Sequence, residues 1–304
     1  MTTLPSAAHV GRIALRVSDL DELVAFYRDV VGLTVRARDG ERATLGTDRI
    51  ALLELVGDAD APARPPDAAG LFHTAFRVPS RSALADALSR VRAEWRLSGA
   101  SDHGVSEALY LQDPEGNGVE IYCDRPRETW STNADGHVEM KTAPLDLDAL
   151  ATEATGTSSV PPESDVGHVH LEVTSLRAAR DFYADALGMT VRQETRGAAF
   201  FAAGEYHHHV GCNVWNGRST GATGRGLEWF EVVVPPAALR AVRERFETAG
   251  VTVQHLDGAA VPGAEPADAE AADAEPNDGE ARSEPRAFAV TDPDGIGLRV
   301  RAGE

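Results

Sequence analysis

Lysine is almost missing from this chain. Lys141 is the only one, so nearly all of the 29 basic residues are arginines, and they face 48 acidic residues for a net charge of −19. A surface this acidic repels nucleic acid and anionic membrane, which excludes both as expected partners. It suits a solvent of very high salt, where self-repulsion is screened. A halophile's cytoplasm is the expected setting; an ordinary acidic protein of a GC-rich organism is the competing account. Cysteine is also scarce. Cys123 and Cys212 are the whole supply, which excludes a disulfide framework and fits a reduced compartment. No apolar run approaches the roughly 18 residues of a membrane span. Met1-Thr2-Thr3-Leu4-Pro5 offers neither a basic segment nor an apolar run, so no signal peptide is expected. What remains is 304 residues with 42% hydrophobic content, enough for two domains with cores of their own.

One unit recurs four times, beginning at Gly11-Arg12-Ile13, Leu71-Phe72-His73, Gly167-His168-Val169 and Leu227-Glu228-Trp229. Each is a short strand, an amphipathic helix and further strand-like sequence. In the first helix Leu20, Leu23, Val24, Tyr27 and Val31 share one face, Ser18 or Asp19 can cap the start, and Gly32 can supply the left-handed stop. The third unit repeats this from Leu176 to Gly188. The second and fourth helices are expected over 82–95 and 237–249. Alternating runs such as Arg49 to Val56 read as strands. The expected fold class is α+β: four βαβββ modules forming two half-barrel domains. Residues 9–124 hold the first pair of modules, 125–164 a polar linker with a short helix near 145–154, and 165–302 the second pair. Residues 256–285, rich in Ala, Glu, Asp, Pro and Gly, read as a disordered acidic insertion.

Comparing the units position by position isolates the chemistry. The first-strand position is Arg12, His73, His168 and Trp229 in turn, and the closing strands align Glu120 with Arg299. Two histidines and one carboxylate survive, in units two and three only. A lone strand histidine is commonly structural; two at one repeat position, with a carboxylate, can hold a divalent metal and leave coordination positions open for substrate and O2. Pairing consecutive units would put Arg12 or Arg299 where a ligand should be, and arginine has no lone pair to give. Pairing unit two with three, and one with four, assembles His73, His168 and Glu120. The crossed pairing is therefore expected, within one chain or between the chains of a homodimer.

Three further residues belong to the expected site. In Tyr206-His207-His208-His209, strand alternation sends His208 to the face opposite His207 and His209, where it can act as acid/base beside the metal; an adventitious surface cluster is the alternative. Tyr110 is brought toward Glu120 by the hairpin turn at Pro114-Glu115-Gly116, and its hydroxyl can bond a metal-bound oxygen; a core tyrosine is the bland account. His103 can line the same mouth.

The repeated units, Ser101-Asp102-His103-Gly104-Val105-Ser106-Glu107-Ala108-Leu109-Tyr110, Asp113 to Tyr122, Asp124-Arg125-Pro126-Arg127 and the Tyr206 to His209 run resemble the vicinal oxygen chelate superfamily of glyoxalases and extradiol dioxygenases, most closely its catechol 2,3-dioxygenase-like branch. The resemblance covers nearly everything outside the linker and the insertion. It implies His168, His73 and Glu120 as metal ligands, His208 as the acid/base and Tyr110 as the hydrogen-bonding tyrosine. His9, eighteen residues before Tyr27, does not match the ligand position. The function it implies is ring cleavage of a catechol-type diol by Fe(II), or by Mn(II) or another divalent metal, with O2. Two alternatives stay open: a glyoxalase-like isomerase or lyase, which usually needs a fourth protein ligand such as Glu54, and a non-catalytic binder of small molecules.

Overall fold

The computed structural model of the chain describes residues 3–133, 138–256 and 286–303. The first module runs β1 (His9–Val17), α1 (Leu20–Phe26), β2 (Thr34–Asp39), β3 (Arg42–Gly46) and β4 (Ala51–Gly57). The second runs β5 (Gly70–Arg77), α2 (Arg81–Glu94), β6 (Gly99–Asp102), β7 (Ser106–Gln112) and β8 (Gly118–Asp124). A connection carrying β9 (Ala143–Pro144) and α3 (Leu147–Ala151) leads to the third: β10 (Asp165–Glu172), α4 (Leu176–Arg180), β11 (Thr190–Glu194), β12 (Ala198–Ala202) and β13 (Val210–Asn213). The fourth is β14 (Gly226–Val234), α5 (Pro236–Thr248), β15 (Gln254–Leu256), β16 (Ala287–Thr291) and β17 (Gly297–Ala302). The acidic insertion expected at 256–285 lies, beyond Leu256, outside the described residues.

Asp19 caps α1 by accepting the Glu22 N–H, and Ser175 caps α4 through the Ala178 N–H. Neither helix continues as α to the expected glycine. Each widens into a π turn, Tyr27–Val31 and Asp181–Ala186. The wider turn has three supports. Gly32, at φ 92°, donates its N–H to the Tyr27 carbonyl. The carbonyls freed at Val30 and Val31 are taken by Arg90 of α2, as those of Ala186 and Leu187 are by Arg245 of α5. Tyr27 then donates its hydroxyl to Asp113 at 3.1 Å, and Tyr183 to Asp292 at 2.8 Å.

The strands form two sheets, ordered β15-β16-β17-β14-β1-β4-β3-β2 and β11-β12-β13-β10-β5-β8-β7-β6-β9. Modules two and three thus share one sheet, modules one and four the other, within a single chain. The crossed pairing expected from the repeat is the observed topology. In each sheet the joint is an antiparallel pair of first strands, β5 with β10 and β1 with β14. The two tyrosine–aspartate bonds run between consecutive modules and therefore tie one sheet to the other. One large apolar core spans both sheets, including the buried rings of Tyr27, Phe76, Tyr183 and Phe230. Each such ring removed from water contributes roughly 1.5–3 kcal/mol.

Residues between modules two and three are fastened to the sheet of modules two and three. β9 pairs with β6 and becomes the edge strand, and Asp86 of α2 accepts the backbone N–H groups of Thr155 and Gly156 at 2.7 Å each. Cys123 and Cys212 are free and buried. Among the described residues, no helix is long and apolar enough to cross a membrane.

Candidate metal centre

Strand register builds the centre. Ala75 of β5 stands opposite His168 of β10 on one side and Glu120 of β8 on the other, and Tyr110 of β7 stands opposite Glu120. With side chains alternating along each strand, His73, Glu120 and His168 meet on one face. His73 Nε2 lies 3.0 Å from Glu120 Oε2, His168 Nε2 lies 3.3 Å from the same oxygen, and the two Nε2 atoms are 3.3 Å apart. All three residues are buried, and no other group of metal-ligand residues converges in this way among the described residues. Donors at right angles around an ion with bonds near 2.1 Å are about 3 Å apart. The trio therefore fits three adjacent corners of an octahedral divalent ion.

Charge supports the same fit. Burial would raise the Glu120 carboxyl, but the two imidazoles beside it outweigh that and hold it well below its ordinary value. Burial pushes His168 down to about 4, so this ring is neutral at physiological pH. Among the described residues, no arginine or lysine pairs with Glu120. An anionic carboxylate buried without a permanent cation costs several kcal/mol, roughly what a bound cation would offset.

The remaining expected residues surround the trio. The His208 ring packs on His168 with centroids 4.1 Å apart and on Phe200 at 5.1 Å. The histidine run is not a strand, as alternation required, but a bend between β12 and β13. His209 Nδ1 holds it by accepting the Ala203 N–H at 3.1 Å. His207 and His209 both stack on Tyr206 while His208 turns to His168, yet His207 and His208 are not segregated: their Nδ1 atoms are 2.8 Å apart. All three rings are buried, which removes the surface-cluster account.

Tyr110 packs against His73 with centroids 5.8 Å apart, and its hydroxyl lies 2.7 Å from His103 Nε2. Burial, then the nearby Glu120, raises its pKa, so the phenol stays protonated. His103 Nδ1 faces the Lys141 carbonyl at 2.7 Å and must donate to it. The Nε2 lone pair of that tautomer accepts the Tyr110 hydroxyl.

Sequence reasoning missed His170, Gly211 and Asp124. His170, two residues past His168 and so on its face, is buried among Phe72, Phe200 and Trp215 with Nε2 unpartnered. Alternation from His168 would have found it. Gly211 matters by what it is not. In the other sheet Ala14 pairs with both Trp229 and Glu54; here His170 pairs with both His73 and Gly211. Gly211 thus occupies the position of Glu54, where a carboxylate would make a fourth ligand, and a Cβ added there would lie 3.0 Å from the His170 ring. Asp124 sits on the Glu120 face of β8 and reaches the His207 ring at 3.0 Å.

Paired βαβββ modules with two buried histidines and a carboxylate on one sheet define a candidate metal site on a fold of the vicinal-oxygen-chelate type. The model of the Glyoxalase/Bleomycin resistance protein/Dioxygenase superfamily matches residues 9–121 and 165–300, and the chain belongs to this superfamily. It is 35% identical over 269 residues to a catechol-2,3-dioxygenase of Bacillus subtilis (strain 168), covering 85% of this chain and 94% of that one. It is also 35% identical over 131 residues to biphenyl-2,3-diol 1,2-dioxygenase 3 of Rhodococcus globerulus, covering 41% and 66%. Among solved structures, a putative dioxygenase from Bacillus subtilis superposes with a TM-score of 0.61 at 13% identity, covering 99% of this chain and 86% of that one. Glyoxalase I from Zea mays gives 0.56 at 16%, covering 97% and 92%. These two share the fold.

Proposed function

We propose that the protein is an extradiol dioxygenase that opens the ring of a catechol-type vicinal diol with O2, using a divalent metal held by His73, His168 and Glu120. One observation carries the reading: three donors 3.0–3.3 Å apart with glycine at the fourth-ligand position. A glyoxalase-like isomerase or lyase needs that fourth ligand, and Glu54 stands in the other sheet. Nothing in the site favours a passive binder over a metal enzyme. The dioxygenase names of the relatives support the substrate class.

Fe(II) is the ion this set suits best, with Mn(II) or another divalent ion as substitutes; held by His73, His168 and Glu120, it would supply Lewis-acid activation of the diol and an electron path between diol and O2. The chain's own residues do the rest. His208, beside His168, takes a proton from a diol hydroxyl and can return it later. Tyr110, kept protonated, turns its hydroxyl from His103 to a substrate oxygen and donates a hydrogen bond to it. Phe72, Phe200 and Trp215 wall the site, with Trp215 half exposed at its rim. The matched segments support module-pair boundaries at 9–124 and 165–302, with 125–164 as linker. The crossed pairing completes the site in one chain, so a homodimer is not required for it. The acidic composition supports a halophilic, cytoplasmic setting.

The test is anaerobic loading with Fe(II) or Mn(II), then a panel of substituted catechols under air. Coloured ring-opened product with one O2 consumed per diol is expected. A metal-loaded protein inert toward every catechol, but active on a hemithioacetal, would overturn the reading.

A further inference from the structure

His207 is buried beside the centre, and its role lies in the proton count of its hydrogen bonds. Asp124 accepts from Arg77 Nη1 at 3.1 Å, from the Tyr206 hydroxyl at 3.0 Å and from His207 Nε2 at 3.0 Å. Burial works to raise this carboxyl, but the His207 ring and the Arg77 guanidinium outweigh it and hold it below its ordinary value. An ionised carboxylate only accepts, so His207 Nε2 carries the proton. In a neutral ring His207 Nδ1 is then a lone pair. It faces His208 Nδ1 at 2.8 Å, and that short contact needs one proton between the two nitrogens. With His207 neutral, that proton sits on His208 Nδ1. The one remaining lone pair of His208 is at Nε2, on a ring packed against His168.

We infer that Asp124 and His207 are positioning residues: they form a relay that locks His208 in its Nδ1–H tautomer and leaves Nε2 as the basic atom. The catalytic consequence rests on the dioxygenase reading. When a diol O–H bond breaks and its proton joins His208 Nε2, the resulting imidazolium already has its Nδ1–H directed at the His207 lone pair. His207 in turn leans on the Asp124 carboxylate. Positive charge arising beside a divalent ion thus has a fixed acceptor on the side away from that ion. The same network explains the neighbouring rings. Tyr206 donates to Asp124, so the 2.8 Å contact between the Tyr122 and Tyr206 hydroxyls is donated by Tyr122.

Long-range nitrogen–proton NMR of the metal-free full chain, labelled at histidine, reads each tautomer without turnover. His208 is assigned by its loss in His208→Phe. The wild type is expected to show Nδ1–H at His208 and Nε2–H at His207. Asp124→Asn offers an amide N–H to His207 Nε2 and should reverse both rings. His207→Gln keeps an oxygen for the His208 Nδ1–H and should preserve its tautomer, whereas His207→Leu should leave a mixture. After metal loading, Asp124→Asn and His207→Leu are expected to lose about 100-fold in kcat at unchanged metal content and with KM little moved, and His207→Gln to recover most of it. An Nε2–H signal at His208 in the wild type, or Gln and Leu at 207 giving the same His208 tautomer, would overturn the relay. Correct tautomers in a protein that opens no diol would leave the relay standing and sink the dioxygenase reading instead.

Discussion

The two sheets are built on the same register and reach opposite electrostatic solutions. His73, His168, Glu120 and Gly211 in one correspond to Trp229, Arg12, Arg299 and Glu54 in the other. Among the described residues, both buried glutamates of the second sheet, Glu54 and Glu231, have a guanidinium. Glu54 pairs with Arg42, and Glu231 with Arg301 at 2.9 Å and Arg12 at 3.9 Å. Arg299 lies 3.7 Å over the Trp229 ring. In the first sheet Glu120 has two imidazoles and no arginine. The scaffold therefore tolerates either a self-neutralised interior or one that keeps a charge for a metal. Residue type at four positions makes the difference.

The largest effect should follow from touching those positions. His73→Ala, His168→Ala and Glu120→Ala are each expected to weaken metal binding by more than about 100-fold, beyond the usual cost of an outer-shell change. Arg12→Ala, Trp229→Ala and Arg299→Ala should retain wild-type metal content. Metal analysis after gel filtration decides it; loss of metal in the arginine variants would erase the distinction between the halves.

A smaller change should separate binding from chemistry within the metal-bearing sheet. His208→Phe is expected to keep the ion and lose about 100-fold in kcat at saturating diol and O2. Unchanged turnover would make His208 a packing residue.

Stability should respond to metal differently in the two sheets. Arg301→Met leaves the buried Glu231 with only Arg12 at 3.9 Å and is expected to cost about 1–3 kcal/mol whether or not metal is present. The imidazoles beside Glu120 hold its carboxyl ionised, so Glu120→Gln is expected to cost about 1 kcal/mol without metal and several times more with it, because the bound ion loses its anionic ligand. Urea titration of both variants with and without metal decides it, and a Glu120→Gln cost as blind to metal as that of Arg301→Met would contradict the contrast.

The smallest expected effect concerns the ties between sheets. Burial, only partly offset by hydrogen bonds from the Ile296 N–H and the Tyr183 hydroxyl, pushes Asp292 up to about 6. The folded value lies above the unfolded one near 3.9, so the folded state binds the proton more tightly. Its stabilising contribution is complete below about pH 4 and is lost as pH rises through about 6. Asp292→Asn should flatten that part of the stability curve. A curve that keeps its slope would assign the effect elsewhere, with Asp113 at the other tie the first alternative.

Local sequence was enough for much of this. Glycine stops, caps and the 3.6-residue apolar rows mark the helices, because those signals act within a few residues. Repeat comparison exposed His73, His168 and Glu120, and the rule that arginine cannot ligate a metal selected the crossed pairing. What stayed hidden depends on atoms distant in the chain. The π turns need Arg90 and Arg245 from other modules to take the freed carbonyls. The bend at Tyr206 to His209 follows from the His209 bond to Ala203 and from the rings packed around it, which no alternation rule contains. Gly211 acquires meaning only once register sets it against Glu54. Asp124 and His207 are 83 positions apart, and His208 gains its tautomer from both. Periodicity and residue chemistry are properties of one strand or helix and survive in the sequence; the location of a proton on a buried ring is set by every donor and acceptor that surrounds it, and folding alone brings those together.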